Sequence, residues 1–324
     1  MYRLLPLLLL TMLCASCTAQ PQRVILDTDI DSDVDDVQAL AMLHAYADMG
    51  SVDLLGVVVT SEERYAASCT DAINTFYGRP DLPIGYLRHR DSLRQFSKYT
   101  RQVTEEFPHR IEDSTGTVAS AQLYRQLLAD SPDGSVTIVT VGHLSSLAAF
   151  LQSPADAISP LTGQELARKK VSRWLCMGGR YPEGKEANFY RPDPASTAYC
   201  LDHWLGEAIF CGWEVGNEIL TGGAYLKQGL TPPHPVFRAY QLYNDFAGRP
   251  AWDQVAVLLL DDRAHDFFEL VRDGYVAVNA AGENRWVAGA AADKQHAYVR
   301  IRPEVAADTI ARYIDGLIIN ATPK

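Results

Sequence analysis

Short apolar runs and longer amphipathic stretches alternate along most of the chain. Runs of strand length occur at Arg23 to Leu26, Leu54 to Thr60, Leu82 to Tyr86, Val136 to Val141, Val171 to Met177 and Glu207 to Trp213. Between them, apolar or small residues recur at three- and four-residue spacing in Val37 to Tyr46, Ala119 to Leu128, Leu144 to Leu151 and Ala195 to Leu205, the period of helices with a buried face. Strand and helix in alternation predict βαβ units, hence an α/β fold with an open, mostly parallel Rossmann-like sheet and helices on both faces. The C-terminal third breaks the pattern. Tyr275 to Val278, Trp286 to Ala288 and His296 to Ile301 are short strand-like pieces divided by Gly282-Glu283-Asn284 and Ala292-Asp293-Lys294. They predict a small antiparallel C-terminal addition of hairpins, closed by a helix over Pro303 to Ile319. No repeat, low-complexity tract or Pro/Ser-rich linker divides residues 20–324, which read as one domain.

The first nineteen residues stand apart. Met1-Tyr2-Arg3 ahead of the apolar Leu4 to Leu13 reads as a signal peptide, too short to span a bilayer. The ending Leu13-Cys14-Ala15-Ser16-Cys17 looks like a lipobox, which makes Cys17 the lipidated first residue of the mature chain; cleavage after Ala19 is the alternative. Both imply export, to the periplasm or cell envelope, and the lipobox adds membrane contact through a lipid anchor alone. A formal net charge of -11 argues against nucleic acid or anionic lipid as a partner, because both are bound by clustered Lys and Arg. Neutral small molecules and cations remain. Cys69, Cys176, Cys200 and Cys211 form no CxxC pair or zinc-like spacing and are expected to be buried free thiols, although export permits a disulfide.

Charge patterning matters most in one place. Val24-Ile25-Leu26-Asp27-Thr28-Asp29-Ile30-Asp31-Ser32-Asp33-Val34-Asp35-Asp36 sets six aspartates in ten residues directly behind an apolar strand. At roughly 6 Å and an effective dielectric near 20, two such charges repel by about 3 kcal/mol. Asp35 and Asp36 fall at the positive end of the first helix, which offsets only about 0.3 to 1 kcal/mol each. The crowding therefore calls for a hard divalent cation held by carboxylate oxygens, with raised proton affinities or a solvated loop as the other ways out. An EF-hand loop is excluded: starting at Asp27 it has Ser32 where glycine belongs and Gln38 where glutamate belongs, and it follows a strand. A haloacid-dehalogenase-type phosphatase also begins with Asp-x-Asp after a strand, and Asp261-Asp262 resembles its later acidic pair. That reading stays open at this point, although no lysine sits in a matching place.

Ordered motifs favour another reading. VILDTDIDSDVDDVQAL at Val24 to Leu40 resembles the N-terminal signature of the inosine-uridine-preferring nucleoside hydrolase family, in a variant with two extra residues before the paired aspartates. Gly78-Arg79-Pro80-Asp81-Leu82-Pro83-Ile84-Gly85, Val139 to Leu147, Met177-Gly178-Gly179, Glu186-Ala187-Asn188-Phe189 and Trp252-Asp253-Gln254-Val255-Ala256-Val257 are similar to later motifs of that family and follow in its order. The resemblance implies Ca2+ held by Asp29, Asp36, the Val141 carbonyl and Asp253. Asp27 counts both with this metal set and with the groups around the ribose hydroxyls, which are Asp35, Glu186 and Asn188. Asp29 is implied as the base that activates water for cleavage of a ribosyl N-glycosidic bond. Homodimers or homotetramers are common in the family. Asp31 and Asp33 fall in the two-residue insertion, where metal, substrate and solvent are all open to them.

The resemblance fails at the leaving group. Trp252 stands where the family often has a proton-donating histidine; tryptophan can stack on a base but supplies no proton at neutral pH. Thr60-Ser61-Glu62-Glu63-Arg64 lacks the usual asparagine after the second strand. His143, His234, Tyr240 and Tyr243 are the candidate replacements, with His143 the one expected at the substrate. Trp174, Trp204 and Trp213 read as core or helix-face residues. A ribosyl-binding protein without turnover is the non-enzymatic alternative.

Overall fold

The computed structural model describes residues 20–31, 33–87, 96–112, 116–289 and 293–321. The signal segment and Cys17 lie outside the described residues. Strands β1 (Gln22–Thr28), β2 (Val52–Val59), β3 (Ile84–Tyr86), β4 (Val118–Ala119), β5 (Val136–Thr140), β6 (Val171–Met177) and β7 (Glu183–Lys185) come first. They are followed by β8 (Glu207–Cys211), β9 (Leu220–Thr221), β10 (Arg249–Pro250), β11 (Phe268–Val271), β12 (Gly274–Val278), β13 (Glu283–Ala288) and β14 (Gln295–Ile301). Nine of these form one sheet in the order β11-β14-β8-β6-β5-β1-β2-β3-β4. Every pairing in it is parallel except that of β11 with β14. The α/β sheet with helices around it and a small antiparallel piece is the expected class.

The central strands carry no polar face because both faces are covered. Val24, Ile25 and Leu26 of β1 have no exposed surface, and successive side chains of a strand point to opposite faces. The helix Asp35–Asp48 is buried from Asp35 to Tyr46. It packs against β2 and the helices Trp252–Leu258 and Ala307–Ile319, and the small residues Ala39, Ala41 and Ala45 permit close approach. This explains its weak amphipathic signal: a helix enclosed on all sides has no polar stripe. Cys69, Cys176, Cys200 and Cys211 are buried and unbridged. No helix among the described residues is long and apolar enough to cross a membrane.

The C-terminal third departs from expectation in one respect. β12 and β13 do pair as an antiparallel hairpin, but their third strand is β7, not the segment His296 to Ile301. That segment is β14, which joins the main sheet parallel to β8, Ala297 opposite Ile209 and Tyr298 opposite Phe210. Ala297 and Val299 are fully buried, which a two-stranded surface hairpin could not achieve. The closing helix begins at Ala307, after a turn that contains Pro303. Replacing Val299 by Ala is therefore expected to lower unfolding free energy by about 2 kcal/mol; a change below about 0.5 kcal/mol in chemical denaturation would contradict its place in the central sheet.

Candidate functional site

From β1 the sheet grows in both directions, through β2, β3 and β4 on one side and β5, β6, β8 and β14 on the other. Loops leaving the C-terminal ends of β1 and β5 diverge and open a crevice, the usual ligand position in open α/β sheets. Two backbone bonds fix the start of the aspartate loop there: Val141 N–H donates to the Asp27 carbonyl and Thr60 N–H to the Thr28 carbonyl, each at 2.8 Å. Gly142 lies against the loop so closely that a Cβ would stand 2.7 Å from the Asp29 backbone nitrogen. Any larger residue displaces Asp29.

The crevice is a cavity of about 230 Å³. In its depth, Asp35, Asp36 and Asp253 each present a carboxylate oxygen within 4.8 Å of the others, all three side chains buried. Asp35 and Asp36 open the helix Asp35–Asp48, and Asp253 lies in the first turn of the helix Trp252–Leu258. Thr28 donates its hydroxyl to Asp36 Oδ1. Asp29 and Val141 line the same wall. At this spacing each ionised pair costs about 3 kcal/mol even at an effective dielectric of 20. Burial, followed by the neighbouring carboxylates, accordingly holds the Asp29 and Asp253 carboxyls well above their ordinary range, and Asp35 and Asp36 are raised in the same way. An all-oxygen set of converging buried carboxylates fits a hard divalent cation, which removes that cost.

Beside the carboxylates sits a second acid on its own scaffold. Gly179 takes φ +80°, and a Cβ on Gly178 would stand 2.2 Å from the Phe189 ring, so this turn requires its two glycines. Gly179 N–H reaches Glu186 Oε2 at 3.0 Å, and Asn188 N–H reaches Glu186 Oε1 at 2.9 Å. Burial lifts the Glu186 carboxyl to about 7 against these bonds. Asn188 donates Nδ2 to the Val141 carbonyl at 2.8 Å. β13 holds β7, the three residues just before Glu186, in an antiparallel ladder.

A family model described as inosine-uridine preferring nucleoside hydrolase matches residues 24–310. The chain belongs to that family. It is therefore an N-glycosyl hydrolase of the ribonucleoside type. A Bacillus anthracis inosine-uridine preferring nucleoside hydrolase superposes with a TM-score of 0.68 at 15% identity, covering 93% of this chain and 100% of that one. A plant nucleoside hydrolase gives 0.67 at 17%, covering 93% and 98%, and a purine-preferring ribonucleoside hydrolase from Gardnerella vaginalis gives 0.67 at 16%, covering 92% and 99%. No curated protein matches by sequence. The family match removes the phosphatase reading. Asp261 instead accepts the hydroxyls of Tyr46 and Tyr313 at 3.1 and 2.6 Å, outside the acidic cavity.

In this nucleoside hydrolase Asp29, Asp35, Asp36, Val141, Glu186, Asn188, Trp252 and Asp253 all line the one cavity. Asp35, expected beside the sugar, is part of the three-carboxylate cluster. Asp27 is placed differently from a metal ligand: its oxygens accept the hydroxyls of Thr60 and Tyr124, and it does not line the cavity. Burial raises its carboxyl to about 7. Asp31 and Asp33 both line the cavity, Asp31 accepting from Ser61 at 2.7 Å and Asp33 from Arg249. His143 lies outside the lining, with Nδ1 2.9 Å from Ser145 Oγ.

Sequence reasoning missed Trp213 and Arg249. Trp213 lines the cavity instead of the core. Arg249 pairs with Asp33 and carries its guanidinium 4.8 Å over the Trp252 ring. The pair joins residues 216 apart in the chain, and nothing local marks it. A sequence signal did exist for Trp213, the last residue of an expected central strand and so at the end of the sheet where ligands bind.

Carboxyls with raised proton affinity stabilise the fold when protonated. That contribution is complete below the unfolded value near about 4 and is lost as pH rises through about 7, the value to which Asp27 and Glu186 are pushed. In chelator, the melting temperature is therefore expected to fall between about pH 5 and about pH 8. Added divalent cation should reverse the trend, because it binds the ionised cluster. A melting temperature that climbs over this range in chelator would contradict the assignment.

Proposed function

We propose that this protein is a calcium-dependent hydrolase that cleaves the N-glycosidic bond of a ribonucleoside or related ribosyl compound, giving ribose and the free base. The observation that carries the proposal is the convergence of Asp35, Asp36 and Asp253 beside Asp29 in one cavity at the sheet's switch point. Asp29, Asp36, Asp253 and the Val141 carbonyl, with Asp35 completing the cluster, are the groups that would hold calcium. When bound, calcium supplies positive charge among these carboxylates and a docking point for sugar hydroxyls.

The protein groups do the rest. Asp29 takes the proton of the attacking water; burial and neighbouring negative charge raise its proton affinity, the direction a base at neutral pH needs. Glu186 is fixed by two backbone N–H groups and Asn188 by the Val141 carbonyl, so both stand preorganised beside the ribose hydroxyls. Breaking the bond places positive charge on the ribosyl ring, and the excess of carboxylates stabilises it without reorganisation. The acidic cavity thus serves the transition state more than the ground state.

The same reading includes export to the cell envelope, with Cys17 lipidated, and assembly as a homodimer or homotetramer; palmitate labelling and light scattering test these two points. For the chemistry, a reducing-sugar assay on a panel of ribonucleosides should give ribose with calcium and none after chelation. Asp29→Asn should lower kcat by about 10²- to 10⁴-fold in a folded protein. Asp253→Ala should raise the calcium concentration needed for half-maximal activity. Binding of ribose without turnover of any riboside would instead support a ribosyl-binding protein.

A further inference from the structure

Part of the cavity lining is made of Trp213, Trp252 and Arg249, and none of these three side chains can protonate a departing base near neutral pH. Trp252 donates Nε1–H to the Trp213 carbonyl at 3.0 Å, and the Arg249 guanidinium covers one face of its ring. Arg180 lies 4.8 Å over the Trp213 ring. A guanidinium does not release its proton near neutral pH. Of the donors nominated from sequence, His143 has Nδ1 against Ser145, His234 caps the helix Pro235–Asn244 against Phe76, Tyr240 donates to Gln38 in the core, and Tyr243, beneath Arg249, meets Asp33; none of the four lines the cavity. The remaining titrating groups of the described lining are carboxyls: those assigned above to cation and ribose, Asp33 paired with Arg249, and Asp31 accepting from Ser61.

Two kinds of leaving group depart from ribose without a proton. One is stable as an anion; the other is attached through a ring nitrogen that already carries positive charge, and it leaves neutral. The lining decides between them. Seven carboxyl groups and two guanidiniums surround the cavity, and a bound divalent cation still leaves carboxylates in excess. Arg249 is paired with Asp33, so it adds little net positive charge to the wall. A cation is attracted into such a cavity and an anion is repelled.

We propose that the preferred substrates are N-ribosyl cations, ribosides of a pyridinium-type ring whose glycosidic nitrogen is quaternary. The inference rests on the hydrolase reading of this site and narrows its substrate class. The C1′–N bond breaks with its electron pair retained by the nitrogen, which becomes a neutral pyridine. Water oxygen bonds to C1′, and its proton passes to Asp29 and then to solvent. The products are ribose, the neutral ring and one proton, with no acid required.

The experiment compares nicotinamide riboside, as the pyridinium probe, with uridine and nitrophenyl riboside on the calcium-loaded protein. The expected kcat/KM for the pyridinium probe exceeds that for uridine by at least about a hundredfold, the smallest usual contribution of a general acid. Its KM should rise with added salt while that of uridine does not. Uridine cleaved as efficiently as the pyridinium probe would overturn the proposal, and so would cleavage of nitrophenyl riboside with the pyridinium probe inert. If no riboside turns over, the hydrolase reading fails, and the substrate class is judged separately by displacement of ribose followed through tryptophan fluorescence. Tighter binding of the pyridinium probe than of uridine then upholds it; equal or weaker binding overturns it.

Discussion

Mutual repulsion among carboxylates brought together at one end of the sheet is the constraint to which the surrounding structure answers. Asp35, Asp36 and Asp253 converge from the starts of two helices. Their backbone positions are set by elements that are themselves deeply buried, so the charges cannot relax apart. Gly142 keeps its place only because it has no side chain, and Asp27 is withdrawn between two hydroxyls so that it adds no further charge to the cavity. The core thus holds together a cluster that is unfavourable on its own and favourable around a hard cation. Stability given up at this point becomes affinity for the ligands that neutralise it.

The second half of the site is built from elements far apart in the chain. The hairpin of β12 and β13 extends through β7 to the segment carrying Glu186, and Asn284 of β13 bonds both the N–H and the carbonyl of Arg180 at 2.8 Å. Arg180 in turn covers Trp213, whose carbonyl receives Trp252. The antiparallel addition is therefore part of the site's support, and not an appendage to the sheet. Cations stacked on both indoles make the wall rigid while leaving the cavity negative.

Much of this was legible in the sequence. Alternation of apolar runs and amphipathic stretches predicted the parallel sheet, and the aspartate cluster behind a strand marked the place of the site, because both are local patterns: short apolar runs, 3.6-residue helical spacing and a run of like charges. Ordered motifs named Glu186, Asn188 and Asp253. What escaped was non-local. β14 reads as a hairpin strand until β8 is known to lack a neighbour, Asp27 differs from its neighbours only through Thr60 and Tyr124, and Arg249 acquires its role through Asp33, 216 residues away in the chain. No periodicity encodes such partners. His143 belongs with these cases: its turn is close to the metal-side carbonyl in sequence, while its Nδ1 lies against Ser145 and the residue is outside the cavity lining.

The central claim is that one cation and one ribose share the carboxylate cavity. A crystal structure of residues 20–324 grown with calcium and ribose tests this most directly. The account predicts one ion bound by oxygens of Asp35, Asp36 and Asp253, with Asp29 and the Val141 carbonyl on the same side and ribose hydroxyls between the ion and Glu186. Ribose bound elsewhere, or an ion that leaves these carboxylates untouched, would contradict it.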